Sequence, residues 1–338
     1  MVEIDRQQLV DVLRSVASVV ESDNPISVLQ RLCFRDGMVC GSDGTLSIIA
    51  SCAVNESFCV DAKSLLQLHA RLDSEKVSWN FADNKLTVKA GRHKSEFLTS
   101  DAKSYPNHLP SGTVTLNANP KGFAAAVKQC LAFTDDSKIP QLNGIGCKGE
   151  FVYGVDEVEC VRAKIEGAFS ETISIPRNAA RVICGFGDPA KLLLTPSKSS
   201  IVLLYVGKVV VCRLLEASMP FSAIDSIFAP DDQYAVPSSK DLASAISRVA
   251  LILKQGGIKL KSDNGVLTIS AEQESGGSSQ EELALVGAPD FECKLHAGHF
   301  AKAASSFERL DVGDLIVGAK RYVRFLDPSS RYAMGLMS

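Results

Sequence analysis

The chain has 338 residues, 46% of them apolar and 22% charged, with a formal net charge of −3 and a mean hydropathy of +0.09. This length and composition allow two or three domains of about 100–150 residues, each with its own core. No apolar run approaches the roughly 18 residues of a membrane span, and the N-terminus lacks the pattern of a signal peptide. We therefore expect a cytoplasmic protein without a membrane partner.

Each third of the chain begins with a helical pattern and continues into short apolar runs typical of strands. The first helices are predicted at 7–20, 121–133 and 241–253. Leu9, Phe123 and Leu242 occupy matching positions, with spacings of 114 and 119 residues. Because solenoid repeats span only roughly 20–50 residues, each copy is predicted to be a small domain.

A second helix and further strands complete each copy. These helices are predicted at 61–72, 176–187 and 296–309, and the run 77–90 alternates around an Asp83-Asn84 turn, which is a hairpin signal. The acidic, Gly/Ser-rich piece at 272–282 is predicted to be a mobile hairpin tip. We expect an α+β protein of three similar domains, at 1–112, 113–232 and 233–338, each with two helices packed on antiparallel sheets.

The ten cysteines include no Cys-x-x-Cys pair. Five of them lie inside apolar runs, namely Cys33, Cys40, Cys130, Cys147 and Cys212. This placement favours reduced core residues over disulfides.

Three stretches carry a resemblance to a known family. They are Phe97–Asn107 (FLTSDAKSYPN), Leu142-Asn143-Gly144, and Gly257–Ala271 (GIKLKSDNGVLTISA), which precedes a Glu-rich segment. In this order, over three copies, the chain resembles the bacterial DNA sliding clamp, the beta subunit of DNA polymerase III. The resemblance implies a non-catalytic processivity factor without a cofactor. Such a ring encircles duplex DNA, slides without sequence specificity and tethers the replicative polymerase. Its partners would be double-stranded DNA, the DNA polymerase and the clamp loader.

A packing estimate favours a homodimer. Domains of this size are about 34 Å across, so three in a ring leave a hole of about 5 Å, whereas six leave about 34 Å. A DNA duplex of about 20 Å passes only through the larger hole. The resemblance places Phe97 of one chain against Ile252 and Leu253 of the other.

Charge also separates the predicted helices from the rest of the chain. Counted over residues 6–20, 61–72, 121–133, 176–187, 240–254 and 296–309, the predicted helices carry a net charge of +9, and since the whole chain carries −3, the remainder carries −12. Positive helices facing phosphates would bind DNA loosely, without reading its sequence. The candidate phosphate contacts are Arg14, Lys63, Arg71, Lys128, Lys138, Arg177, Arg181 and Arg248.

The resemblance further implies an apolar groove for a short extended peptide carried by polymerases and the clamp loader. The residues expected to line it are Leu142, Val155, Cys160, Pro230, Met334 and Leu336. Glu157 stands where the family often has glycine, and the tail lacks the usual proline and arginine. These departures indicate a divergent member, such as one from a phage or a mobile element.

Two alternatives remain open on the sequence alone: a clamp-like ring serving repair or another DNA enzyme, and a cytosolic enzyme that uses a cysteine such as Cys130. Other chemical signals are weak. Gly144–Gly149 matches Gly-x-Gly-x-x-Gly, but a strand pattern follows it where a nucleotide loop requires a helix. His296 and His299 have no further Cys or His pair at metal-binding spacing, so no metal site is expected.

Overall fold

The computed structural model describes residues 2–117, 119–134, 137–228, 239–253, 257–273, 276–285, 290–307, 309–317, 320–326 and 330–335. The chain forms two compact units. The first comprises Met1–Ala124, Glu166–Glu171 and Asn178–Glu216, and the second comprises Ala125–Ile165, Thr172–Arg177 and Ala217–Ser338. Segments on both sides of the predicted boundary at 112–113 thus lie in one unit, and the three-domain division stays a prediction.

The elements follow one another in a mixed α and β order. Within the described residues the α-helices are α1 (Arg6–Ala17), α2 (Ala62–Arg71), α3 (Phe123–Ala132), α4 (Arg177–Ile183), α5 (Phe221–Ile227), α6 (Ser239–Ala250) and α7 (Ala297–Ser306). The strands up to residue 117 are β1 (Val2–Asp5), β2 (Arg31–Arg35), β3 (Met38–Ser42), β4 (Leu46–Ser51), β5 (Phe58–Asp61), β6 (Lys76–Ala82), β7 (Lys85–Ala90), β8 (His93–Leu98) and β9 (Val114–Asn117).

The later strands continue the same numbering. They are β10 (Gly144–Val155), β11 (Glu159–Pro176), β12 (Lys191–Leu194), β13 (Ser200–Tyr205), β14 (Lys208–Arg213), β15 (Gly257–Asp263), β16 (Val266–Glu272), β17 (Ser278–Ala284), β18 (Phe291–His296), β19 (Arg309–Val317), β20 (Lys320–Leu326) and β21 (Ser330–Gly335). The strand pairs with a described register are antiparallel, so the predicted α+β class with antiparallel sheets is confirmed.

The first unit contains an eight-stranded sheet, ordered β5-β2-β3-β4-β14-β13-β12-β9, and a four-stranded sheet, ordered β1-β6-β7-β8. Phe34 and Phe58 stack at 4.7 Å between ring centroids, and Trp79 packs edge-on against Phe34. The Trp79 indole donates a hydrogen bond to His69 on α2 at 3.1 Å. This aromatic core holds α2 beside the β6 strand.

The second unit contains a five-stranded sheet, ordered β10-β11-β21-β20-β19, and a four-stranded sheet, ordered β17-β16-β15-β18. Tyr332 on β21 is fully buried, and its ring lies 4.8 Å from that of Phe133 and 5.5 Å from that of Phe307. Strand β21 is therefore part of the core of this unit.

In each unit a helix backbone approaches a strand at a glycine. A Cβ added to Gly41 on β3 would lie 2.5 Å from the Val16 carbonyl oxygen of α1. A Cβ added to Gly154 on β10 would lie 2.5 Å from the Cys130 carbonyl oxygen of α3. Because Val16 and Cys130 are 114 residues apart, the same contact recurs at the spacing expected for the sequence repeat.

The sequence predicts six helices, and all six are confirmed with shifts of a few residues at their ends. The hairpin at Asp83-Asn84 is confirmed, with both residues at positive φ, and Glu272 pairs with Ser278 in the hairpin predicted at 272–282. Helix α5 lies near the end of the predicted second domain, in a segment for which no helix is predicted. No described helix is long and apolar enough to cross a membrane.

We expect Gly41→Ala and Gly154→Ala each to lower the free energy of unfolding by about 1–3 kcal/mol, because the new methyl group must displace a helix backbone. The control is Gly185→Ala, where nothing lies within 4 Å of the added Cβ. Urea unfolding followed by circular dichroism measures the difference. Wild-type stability in Gly154→Ala would contradict the close packing.

Candidate functional site

Most of the predicted phosphate contacts are exposed. Helices α1 and α2 of the first unit bury one apolar face, formed by residues such as Leu9, Leu13 and Leu65. Their basic side chains lie off that face. The exposed candidates are Arg14 on α1, Lys63 and Arg71 on α2, Lys128 on α3, Arg181 on α4 and Lys138 after α3. Their roles in DNA binding stay predictions.

Three of the predicted arginines are already engaged by the protein, and the weakest of these contacts joins the exposed Arg14 to the Asp11 carboxylate at 3.8 Å. Arg177 is 8% exposed, and its guanidinium donates a hydrogen bond to the Thr134 carbonyl at 2.6 Å. Burial removes it from the set of candidate phosphate contacts. Arg248 is exposed, but its guanidinium pairs with Glu281 on β17, with Nε 2.9 Å from Oε2. A phosphate at Arg248 would have to compete with that carboxylate.

An apolar cluster in the second unit contains three of the six predicted groove residues. It consists of Leu142, Tyr153, Val155, Cys160, Met219, Phe221, Ile224, Ile227, Phe228 and Ala333, with the half-buried Phe151 packed against it. The structure thus brings Leu142, Val155 and Cys160 together. They are 3–8% exposed, so each offers only a small part of its side chain to a partner.

Met334 does not belong to this apolar cluster. Adjacent residues of a strand point to opposite faces. Ala333 packs in the cluster, so Met334 points to the other face with Tyr332, where it is only 1% exposed. The prediction that Met334 lines the groove is therefore corrected, because the residue of β21 that packs in the cluster is its neighbour Ala333. Pro230 and Leu336 lie outside the described residues.

Helix α5 supplies a carboxylate beside the apolar cluster. Asp225 accepts hydrogen bonds from Lys148 and from the Tyr153 hydroxyl, both at 2.9 Å, and from Arg162 at 3.2 Å. Burial opposes ionisation of Asp225, but the hydrogen bonds from Lys148 and Tyr153 and the nearby positive charges hold its pKa below the usual value. The Arg162 guanidinium also lies 4.5 Å from the centre of the Phe151 ring.

This network gives the apolar cluster a fixed polar rim. Its members were not identified from the sequence, although Phe221, Ile224 and Ile227 at spacings of three residues signal the helix that carries Asp225.

A second polar network surrounds Glu159, whose side chain is 1% exposed. Its carboxylate accepts hydrogen bonds from the Tyr332 hydroxyl at 2.5 Å and from His299 Nδ1 at 3.1 Å, and the Lys302 ammonium lies 3.6 Å away. The hydrogen bond to Glu159 raises the pKa of His299. A charged imidazolium on His299 therefore stabilises the buried carboxylate.

The structure supports neither a metal site at the His299 cluster nor a nucleotide-binding loop at the glycine motif. Asp156, Glu159 and His299 offer ligand atoms within 4.8 Å of one another, but Glu159 is already bonded to His299 and close to the cationic Lys302. The Gly144–Gly149 pattern itself lies in β10, which runs on through the strand pattern predicted after it, rather than in a phosphate-binding loop.

All ten cysteines are free, and six of them are buried, in agreement with core residues. Cys130 is one of these six. Its thiol donates to the Val152 carbonyl at 3.4 Å, and burial raises its pKa, which is the opposite of what a nucleophilic cysteine requires.

The residues predicted for a dimer interface lie at accessible positions. Phe97 is half-buried on β8, which is an edge strand of its sheet, and the neighbouring Leu98 is 75% exposed. Ile252 and Leu253 are half-buried just after α6, and Leu251 is 82% exposed. Unpaired strand edges next to exposed leucines suit contact with a second chain.

The raised pKa of His299 predicts a pH dependence of stability. A folded-state pKa above the unfolded value gives stabilisation that is complete below the unfolded pKa and is lost as pH rises through the folded pKa. We expect His299→Gln to destabilise the protein more near pH 6 than near pH 8.

The measurement is the urea midpoint across this pH range. His93→Gln serves as the control, because the His93 ring is exposed and, among the described residues, forms a hydrogen bond only with Ser95. Parallel pH profiles for wild type and His299→Gln would contradict the role of the Glu159 network.

No protein-family model matches the sequence, and no curated protein sequence matches it significantly. Solved structures do match. The pol III beta protein of Caulobacter crescentus superposes with a TM-score of 0.85 at 18% identity, covering 99% of both chains. A DNA polymerase sliding clamp from Pseudomonas aeruginosa gives 0.84 at 18% identity, again over 99% of both chains. The beta subunit from the DNA polymerase of Streptococcus pyogenes gives 0.82 at 14% identity, with the same coverage. The chain therefore has the fold of the bacterial sliding clamps along its whole length.

Proposed function

We propose that the protein is a DNA polymerase processivity clamp without catalytic activity of its own. The observation that carries this proposal is the match of fold over 99% of both chains to proteins described as DNA polymerase sliding clamps. A match over the complete length preserves the repeated helices and sheets from which such a protein is built. In this role the chain acts as a homodimer in the cytoplasm, with a polymerase and a clamp loader as partners.

The exposed basic residues support sequence-independent contact with DNA. Arg14, Lys63, Arg71, Lys128 and Arg181 lie on helices that bury their apolar faces in the protein, which leaves their charges in solvent. Contacts from such side chains to phosphates hold a duplex without discriminating between bases. Lys138 can add a further contact from the loop after α3. Weak, mobile binding of this kind suits a protein that must slide.

Closure of the ring would use the edge of β8 and the end of α6. Phe97 and Leu98 of one chain would face Leu251, Ile252 and Leu253 of the other. Burial of apolar side chains of this size contributes roughly 1.5–3 kcal/mol each. This apolar contact would be accompanied by strand pairing at the free edge of β8.

A partner peptide would bind over the apolar cluster of the second unit. Leu142, Val155 and Ile227 are its least buried members, at 7–8% exposure, and the half-buried Phe151 offers part of its ring. The rim formed by Asp225, Lys148 and Arg162 offers charges at the edge of that surface. An apolar centre with a polar rim is the usual form of a peptide-binding surface.

The DNA-binding proposal predicts a charge-reversal effect. Lys128→Glu combined with Arg181→Glu should weaken binding to short linear duplex at low salt. The log–log salt slope should become shallower by about 0.9 for each phosphate that the variant no longer neutralises. The effect should be equal for unrelated DNA sequences. Fluorescence anisotropy at several salt concentrations provides the measurement.

The matched control is Lys89→Glu combined with Lys191→Glu, which makes the same charge change at exposed positions on strands β7 and β12. Equal weakening in the two double variants would mean that net charge, rather than the helices, governs binding.

The peptide proposal predicts that Phe151→Ala weakens binding of a fluorescent peptide copied from the clamp-binding segment of a bacterial replicative polymerase. The expected loss is about 1–2 kcal/mol, or roughly a factor of ten in Kd.

Phe186→Ala is the control, because Phe186 is also half-buried and has the Lys208 ammonium 3.7 Å from its ring centre, but it lies in the first unit. An unchanged Kd in a folded Phe151→Ala variant would remove the apolar cluster as the peptide site.

A further inference from the structure

Three cysteines form a row across neighbouring strands of the first unit. Cys33 on β2 is directly opposite Cys40 on β3 and directly opposite Cys59 on β5. Opposite residues in an antiparallel pair share one face of the sheet. All three contribute to one apolar cluster with Leu29, Ala102 and Tyr105, in which Cys33 and Cys59 are buried and Cys40 is half-buried.

The hydrogen-bond pattern distinguishes the two pairs. Strands β2 and β3 are joined by the two-residue turn Asp36-Gly37, with Arg35 opposite Met38. In such a hairpin the closing pair is hydrogen-bonded, and the bonded pairs then alternate, so Cys33 and Cys40 form a bonded pair. The peptide groups of Cys33 consequently point towards β3 and away from β5.

The backbone hydrogen bonds of Cys59 lead independently to the same conclusion about the Cys33–Cys59 pair. Its backbone N–H donates to the Ser100 carbonyl at 2.8 Å, and its carbonyl accepts from the Ser100 N–H at 3.0 Å. Both peptide groups of Cys59 thus point away from β2. Cys33 and Cys59 therefore form a non-hydrogen-bonded pair, in which side chains come closest.

This geometry favours a bond between Cys33 and Cys59. A non-hydrogen-bonded pair has Cα atoms about 4.5 Å apart, within the disulfide range of about 4.4–6.8 Å. Its Cβ atoms lie near 4.5 Å, at the upper limit for a disulfide, whereas those of a hydrogen-bonded pair are about 1 Å farther apart. Cys40 is thus less well placed than Cys59 to bond with Cys33.

We propose that Cys33 and Cys59 are an oxidation site at which hydrogen peroxide forms a cross-strand disulfide between β2 and β5. The Cys33 thiolate attacks a peroxide oxygen, so that an S–O bond forms, the O–O bond breaks and water leaves after protonation. The Cys59 thiol then attacks the Cys33 sulfur, loses its proton and releases a second water. In total the two thiols lose two electrons and two protons, and one hydrogen peroxide becomes two waters.

The electrostatic surroundings assign Cys33 as the first nucleophile. Interaction with the neighbouring Cys59 thiol, together with the nearby Arg35 guanidinium, lowers the pKa of Cys33 despite its burial. Burial raises the pKa of Cys40, to about 12. Thiolate character, which controls reaction with peroxide, is therefore greatest at Cys33.

Oxidation would fix the strand that leads into α2. Strand β5 ends at Asp61, whose carboxylate caps α2 by accepting from the Ser64 N–H at 2.7 Å. A disulfide at Cys59 joins this end strand of the eight-stranded sheet covalently to β2. The proposal does not depend on DNA binding, since it rests on strand register and thiol chemistry alone.

The test treats the folded full chain with hydrogen peroxide, blocks remaining thiols with N-ethylmaleimide and maps disulfides by mass spectrometry. Digestion with trypsin and a Glu-specific protease separates Cys33, in the peptide 32–35, from Cys59, in the peptide 57–63. We expect a linked pair of these peptides and a fall in titratable thiols from ten to eight per chain.

Cys59→Ala should abolish the linked pair. The control Cys212→Ala should retain it, because Cys212 is buried in the same sheet but lies opposite Leu46 and Ile201 rather than another cysteine. Ten remaining thiols in wild type, a Cys33–Cys40 bond, or sulfinic acid on Cys33 with Cys59 free would each overturn the proposal. The disulfide map of the wild-type protein tests the Cys33–Cys59 bond even if Cys59→Ala does not fold.

Discussion

The close contact between a helix backbone and a strand glycine is the constraint on which both units depend. At Gly41 and at Gly154 a helix carbonyl occupies the space that a side chain would need. Helices α1 and α3 therefore lie flat on their sheets, and their apolar stripes are fixed towards the core. The opposite faces of these helices must then be solvent-exposed, which is where Arg14 and Lys128 lie.

The distribution of charge over the surface follows from this arrangement of the helices. A chain with a net charge of −3 binds polyanions only if its positive charges are segregated, and the helices provide that segregation. The exposed candidates Arg14, Lys63, Arg71, Lys128 and Arg181 lie on helices, whereas Lys138 lies in the loop after α3. Arg177 is an exception, because its side chain is buried and donates a hydrogen bond to the Thr134 carbonyl instead of facing solvent.

The sequence predicted the six repeated helices, the antiparallel hairpins and the buried cysteines, because each depends on local periodicity. It did not predict helix α5, since the seven-residue run Phe221–Ile227 is shorter than the stretch over which helical periodicity can be recognised. Met334 was assigned to the wrong face, because a shift of one residue along β21 exchanges the two faces of the strand. The Asp225 and Glu159 networks join residues from distant parts of the chain, such as Glu159 and Tyr332, and no local pattern signals such a pairing.

Retention on DNA tests most directly whether the protein encircles the duplex. The protein is loaded with a bacterial clamp loader and ATP onto nicked circular DNA, separated from free protein by gel filtration, and analysed again after a restriction enzyme has linearised the circle. Encirclement predicts that the protein remains with the circle in high salt and is released after linearisation, whatever the DNA sequence. Retention on linear DNA with free ends, or a footprint at one sequence, would contradict it and indicate direct binding instead.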